Sequence, residues 1–193
     1  MHTAEISKIK EQLNHVVSMV DPSFINALSE LHRKLAKEHV DWAVGGELGE
    51  ALRTVQVEPD CIEIVTSKKG AAQIFLAVKD LNPVGLYFQT ERLNRNAIVD
   101  DKEYPVYLRS YFFDFALEGV QIKVHGDPQY RISNWDWGDK IDFTPEYIYI
   151  VGAKTAIVPL QIKLEIYQAL GWKDRAEKVM QVIAKRHPPQ VTA

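Results

Sequence analysis

One cysteine, Cys61, stands in 193 residues. A lone thiol excludes an internal disulfide and a cysteine-rich zinc site, and it fits a reducing compartment. Uncharged apolar runs long enough to span a bilayer are also missing. The opening stretch MHTAEISKIKEQLNHVV alternates charge with apolar residues where a signal peptide would carry an apolar core. The expectation is a cytoplasmic protein with no membrane partner. Nor is there an excess of one charge: 23 Lys and Arg against 26 Asp and Glu leave a formal net charge of -3. Nothing at whole-chain level therefore indicates a nucleic-acid partner. Internal repeats and low-complexity tracts are absent, which excludes solenoids and arrays.

What is present is an ordinary globular composition, 46% hydrophobic and 25% charged, sufficient for one core and a small appended unit. Apolar residues Ile6, Ile9, Leu13, Val16, Val17 and Val20 recur at helical spacing, and Asp21-Pro22-Ser23 ends that helix and caps a second one from Phe24 to about Glu38. Val40 to Val44 reads as a strand, Glu47 to Arg53 as a short helix, Cys61 to Val65 as a strand, and Lys68 to about Leu81 as a helix. From Gly85 the runs GLYFQTERL, YPVYLRSYFFDFAL and VQIKVHG predict a meander of strands. Asp127 to Glu146 reads as a long loop, YIYIVGAKTAIVPL returns to strand character, and two helices, Leu160 to Leu170 and Lys173 to Lys185, close the chain. The expected fold class is α+β with a mixed α/β sheet, N-terminal helices and a C-terminal helical pair. Residues 1–157 form the main domain and 158–193 a helical extension packed on it.

The informative stretch is WAVGGELGEALRTVQVEPDCIEIVT, a buried strand entering Gly45-Gly46, a short helix, a loop and a second strand. Together with GVQIKVHG and VPLQIKLEIYQALGWKDRAEKV it resembles the nucleotidyltransferase (polymerase-beta-like) superfamily, nearest to the small prokaryotic members that include toxins of abortive-infection and toxin–antitoxin systems. The resemblance spans most of Asp41 to Val179. It implies two aspartates one residue apart on the second strand and a third carboxylate on a later strand.

Nucleotidyl transfer is mostly positioning and charge neutralisation, commonly by two divalent ions held between carboxylates and phosphates. Residues i and i+2 of a strand point the same way, so Asp-x-Asp aims two oxygen ligands at the metal. Here those positions match Cys61 and Glu63, and the third matches Lys123. A thiol is too soft for magnesium, and a lysine brings positive charge to the metal's place. The candidate catalytic residues are Glu63 and Asp60, the latter serving only if a bulge reaims it, and no metal ligand set is assigned. Glu58 with Asp60 is interrupted by Pro59, and Asp114, Glu118 and Asp127 remain open as sources of a third carboxylate.

Gly45, Gly46 and Glu47 at the turn, with Lys163, are the nucleotide-binding candidates, although Glu47 would repel a triphosphate. Lys68 and Lys69 open a helix and either meet an anion or face solvent; Lys173-Asp174-Arg175 reads as an internal Lys–Asp pair. Cys61 is expected as a small buried filler, and His125 as an exposed strand-end residue. The aromatic set Tyr104, Tyr107, Tyr111, Phe112, Phe113, Phe115, Trp135 and Trp137 packs a core or stacks a base.

Three functions follow from these residues. The leading one is a catalytically degenerate pseudoenzyme binding a nucleotide or a protein partner, with no cofactor. An active enzyme would use magnesium to transfer a nucleoside monophosphate to protein, RNA or a small molecule. A structural, homo-oligomerising protein would need no ligand.

Overall fold

The computed structural model describes residues 20–186. The first predicted helix, apart from Val20, and the tail from His187 lie outside them. Helix α1 (Pro22–Leu35) lies two to three residues earlier than the expected Phe24 to Glu38, because the Asp21 carboxylate accepts the Ser23 N–H at 2.8 Å and proline itself occupies the first turn. Then come β1 (Trp42–Val44), α2 (Gly46–Ala51), β2 (Ile62–Thr66) and α3 (Lys68–Ala77). Ser67 caps α3 by accepting the Gly70 N–H, and a 3-10 turn, Lys79–Leu81, follows in place of the expected last helical turn. The meander is β3 (Val84–Arg92), β6 (Val106–Leu117) and β7 (Val120–Ile132), interrupted by a small hairpin, β4 (Ala97–Val99) and β5 (Lys102–Tyr104). A second hairpin, β8 (Glu146–Ile150) and β9 (Ala153–Ile157), leads into α4 (Leu160–Ala169) and α5 (Lys173–Arg186).

Seven strands form one mixed sheet in the order β3-β6-β7-β2-β1-β9-β8. β2 runs parallel to β7 and β1 parallel to β9, while the remaining neighbours are antiparallel. One face carries Ile62, Ile64, Phe113, Phe115, Ile122 and Val124, and it is covered by Leu28 and Leu31 of α1 and by Ala71 and Ile74 of α3. That cluster is the main core. α4 and α5 build a second one from Leu164, Tyr167, Ala176 and Val179, anchored on Val55 after α2. Among the described residues no helix is long and apolar enough to cross a membrane.

Two segments depart from the sequence reading. β7 does not end near Gly126 but runs on to Ile132, so the expected long loop begins only after it. Asp127 adopts φ +51 and the pairing with β6 slips between Arg109 and Tyr111, so a bulge absorbs Pro128 within the strand. His125 consequently sits inside β7, only 4% exposed, and not at an exposed end. The loop that follows is pinned to the sheet by Trp137, whose ring lies between the guanidinium groups of Arg109, at 4.3 Å, and Arg131, at 4.6 Å.

The β4–β5 hairpin was not expected, and it docks on the turn between α4 and α5. The Ile98 N–H donates to Leu170 O at 2.9 Å, and the Trp172 indole donates to Asn96 O at 2.7 Å. Gly171 has φ +69, and a Cβ there would stand 2.0 Å from Ile98 O. Gly171→Ala is expected to cost about 2 kcal/mol or more through left-handed strain and lost docking. Urea unfolding monitored by tryptophan fluorescence measures it; an unchanged midpoint would contradict the packing described.

Candidate functional site

The site starts at the turn after β1. The Gly45 N–H donates to Glu63 O at 2.8 Å, joining the turn to β2. Gly46 then takes φ +54, a left-handed conformation that favours glycine. A Cβ on Gly46 would lie 2.7 Å from Cδ of Glu63, so the Glu63 side chain lies directly on this turn. The turn's helix, α2, has only six residues, which leaves a weak dipole at its start.

Glu63 is the register partner of Lys123 across the parallel β2–β7 pair, so both side chains rise from the same face. Cys61, two residues before Glu63, is 7% exposed, whereas Asp60 beside it is exposed. Burial, reinforced by the Asp60 and Glu63 carboxylates, pushes the Cys61 thiol up to about 12. It is a neutral S–H at physiological pH. Burial opposes the Lys123 charge, but Cys61, Asp60, Glu63 and Glu91 around it outweigh burial and hold its pKa above the ordinary lysine value. Glu91, reaching in from β3, is pushed up by its own burial. The structure therefore gathers Cys61, Glu63, Lys123, Asp60 and, unforeseen, Glu91. Among the described residues Lys123 makes no ion pair. His125 is on the same face; burial depresses its pKa, and its Nδ1 is 3.1 Å from the Ser110 hydroxyl.

From the helical side, Lys163 approaches with its ammonium 3.7 Å from Glu50 Oε1. Glu50, 1% exposed, also accepts the Tyr167 hydroxyl, and its other oxygen has no partner among the described residues. Glu47 is bound by Arg175 of α5, and Asp174 by Arg95, so the Lys173-Asp174-Arg175 turn is not an internal pair but two links to other elements. Lys68 lies over the Tyr111 ring at 4.4 Å. Phe113 and Phe115 are core, while Tyr107, Tyr111 and Trp137 hold cations. Sequence reasoning missed Glu50 and Arg53, both almost fully buried, because charged residues on a short helix read as its solvated face.

Between these side chains the recess is nearly full. Gly46, Glu63, Val65, Tyr130, Lys163 and Ile166 enclose a cavity of only about 20 Å³, enough for a single water. A bound nucleotide requires a pocket of several hundred Å³, on the order of 300 or more. A larger hollow, about 790 Å³, lies at the other ends of β1 and β2, among Trp42, Thr66, Ser67, Asp142, Tyr147 and Lys154. It touches the recess through Val65 and Ile141 and is lined by Asp127, one of the three carboxylates left open above, but by none of Cys61, Glu63, Lys123 and Lys163.

The divalent ions that the fold implies do not fit this donor set. Glu63, the neutral Cys61 thiol and the Lys123 ammonium occupy the three strand positions that the resemblance marks for carboxylates. Among the described residues no group of three or more His, Cys, Asp and Glu side chains is placed to hold a metal.

No protein-family model matches the chain, and no curated protein matches it significantly in sequence. In three dimensions it is similar to a crystal structure from Thermotoga maritima, a protein provisionally designated a nucleotidyltransferase. The TM-score is 0.62 at 22% identity, over 86% of this chain and 96% of that one. Two structures of the antibiotic-resistance factor ANT(2'')-Ia also superpose. The one in complex with adenylyl-2''-tobramycin has a TM-score of 0.46 at 6% identity, over 84% of this chain and 90% of that one. The solution structure scores 0.48 at 7% identity, over 86% and 85%. Likeness this distant says nothing of activity. The chain thus has a nucleotidyltransferase-like fold, with a mixed seven-stranded sheet flanked by helices.

A pKa moved from 9.0 to about 12 lowers the thiolate fraction near pH 8 by about a thousandfold. Iodoacetamide should therefore label Cys61 in the native protein at least about a thousand times more slowly than in urea, as intact mass over time would show. Similar rates in both states would contradict the buried, neutral thiol.

Proposed function

We propose that this protein keeps the nucleotidyltransferase frame for binding and does not transfer nucleotides. The supporting observation is the register that sets Glu63 beside Lys123: the strand position where the superfamily it resembles carries a third carboxylate holds an ammonium group. Two metal ions have nowhere to sit, and without them the transfer loses the divalent charge that neutralises its developing phosphate oxygens. The closed recess agrees with this reading, because an enzyme turning over a nucleotide needs an open route to it. The binding residues of this reading are Lys123, Lys163 and the Gly45-Gly46-Glu47 turn. A protein partner is the preferred role, as in the toxin–antitoxin setting of the small relatives it resembles. Self-association is the competing role: the edge strands leave Val84 and Tyr149 in solvent, at 67% and 59% exposure.

Incubation with each of the four nucleoside triphosphates and magnesium should release no pyrophosphate above the blank, and Glu63→Gln should behave like the wild type. Any nucleotide binding seen by calorimetry should be indifferent to chelator. Magnesium-dependent pyrophosphate release, abolished by Glu63→Gln, would overturn the proposal in favour of an active enzyme built on Glu63 and Asp60.

A further inference from the structure

On the sheet face opposite the recess, cationic and aromatic side chains follow one another in an unbroken line. Neighbouring strand positions point to opposite faces, so Leu108 and Tyr130 line the recess while Tyr107, Arg109, Gln129 and Arg131 stand on the other side of β6 and β7. Register adds Phe88, Thr90 and Arg92 of β3, opposite Tyr111, Arg109 and Tyr107. The line starts in the first turn of α3, where the Lys68 ammonium lies 4.4 Å from the Tyr111 ring. Tyr111 meets Phe88 at 5.0 Å, and Phe88 lies 5.8 Å from the Arg109 guanidinium. Arg109 and Arg131 hold Trp137 between them, and Arg131 ends the line 5.2 Å from Tyr107.

The charge of this line is not balanced. Lys68, Arg92, Arg109 and Arg131 make no ion pair among the described residues, and no Asp or Glu shares their face on the three strands. Glu91 turns to the recess, Asp127 at the bulge is bound by Lys140, and Asp136 and Asp139 lie in the loop around Trp137. Lys68 also opens a helix whose first turn has no acid, where a cation opposes the dipole. Pinning the loop needs only Trp137 and its two arginines. The surface moreover keeps groups to offer: Phe88 is 52% exposed, and Arg109 uses only its Nε, on Gln129 at 3.0 Å. A guanidinium stacked on a ring retains the donors in its own plane for a phosphate.

We infer that this face binds single-stranded RNA, with phosphates on Lys68, Arg92, Arg109 and Arg131 and an unpaired base on Phe88. Charge complementarity selects a polyanion, and the exposed ring selects one that carries unpaired bases, since a duplex keeps its bases stacked inside. The exposed Thr90 hydroxyl, between Phe88 and Arg92, offers a ribose 2′-OH a partner that deoxyribose could not use. The formal net charge of -3 confines the attraction to this patch, so binding falls steeply with salt. Because the recess lies on the opposite face, this inference goes beyond the binding reading above and does not depend on it.

Fluorescence anisotropy of a labelled oligouridylate of about 15 nucleotides tests this across a salt series. The competitors are unlabelled oligouridylate, its duplex with oligoadenylate, oligothymidylate and polyglutamate. Binding at low salt is expected, with the duplex displacing the probe about tenfold less well than the single strand, and oligothymidylate and polyglutamate also less well. Lys68→Gln and Arg109→Gln should each weaken binding and lower the slope of log K against log salt by about 0.7, whereas Phe88→Ala should weaken it about tenfold with the slope unchanged. Lys185→Gln, which removes an exposed cation of α5, should bind like the wild type. A merely structural line of side chains would leave the wild type without binding at low salt, and that result overturns the inference. Polyglutamate as effective as oligouridylate, or Phe88→Ala without effect, also overturns it, because the face is then a general polyanion surface. Equal displacement by oligothymidylate overturns the choice of RNA. Should Arg109→Gln fail to fold, the variants at exposed Lys68 and Phe88 decide the matter alone.

Discussion

The parallel pairing of β2 with β7, from Ile62 opposite Ile122 to Thr66 opposite Gly126, sets both faces of the sheet at once. On one face it stacks Ile62 and Ile64 with Ile122 and Val124 under α1 and α3, where each is fully buried. Removing a methylene or more from such a position costs about 1 to 4 kcal/mol, so this register is strongly specified. On the other face the same register leaves no choice: Glu63 must rise beside Lys123. A slip of one residue would bring Asp60 inward but would also expose the whole isoleucine row. Core packing on one side thus fixes the chemistry on the other.

The second constraint is buried charge around α2 and the helical pair. Glu50 holds Tyr167 and draws in Lys163, Glu47 is taken by Arg175, and Arg53 reaches Glu146. Glu50 and Arg53 are almost fully buried, and removing the partner of such a charge is costly, so these contacts fix geometry more than they strengthen it. The Glu50 and Glu47 contacts tie α4 and α5 to α2 beside the Gly45-Gly46 turn, and they use carboxylates and cations that a nucleotide would otherwise meet. The recess is small because of what fills it, and Lys163, one of its walls, is drawn to Glu50.

Much of this was legible in the sequence because its cues are local. Asp21-Pro22-Ser23 caps a helix, Gly45-Gly46 turns a strand into one, and Gly171 ends α4 beside Trp172. The placement of Cys61 and Glu63 one residue apart needed only strand periodicity. What could not be read depended on distant partners. The bulge that carries β7 past Pro128, and so buries His125, is decided by pairing with β6. Glu91 enters the site from the far edge of the sheet, and Arg95 and Asn96 look like loop residues until α5 supplies Asp174 and Trp172.

The account stands on Lys123 occupying ground that a divalent ion would need. Diffraction from crystals soaked in manganese, with data collected at the manganese edge, tests this most directly. The account predicts no anomalous peak between Glu63, Asp60 and Lys123 at millimolar manganese. A peak there, coordinated by the Glu63 carboxylate with Lys123 turned away, would contradict it and return the site to metal-dependent chemistry.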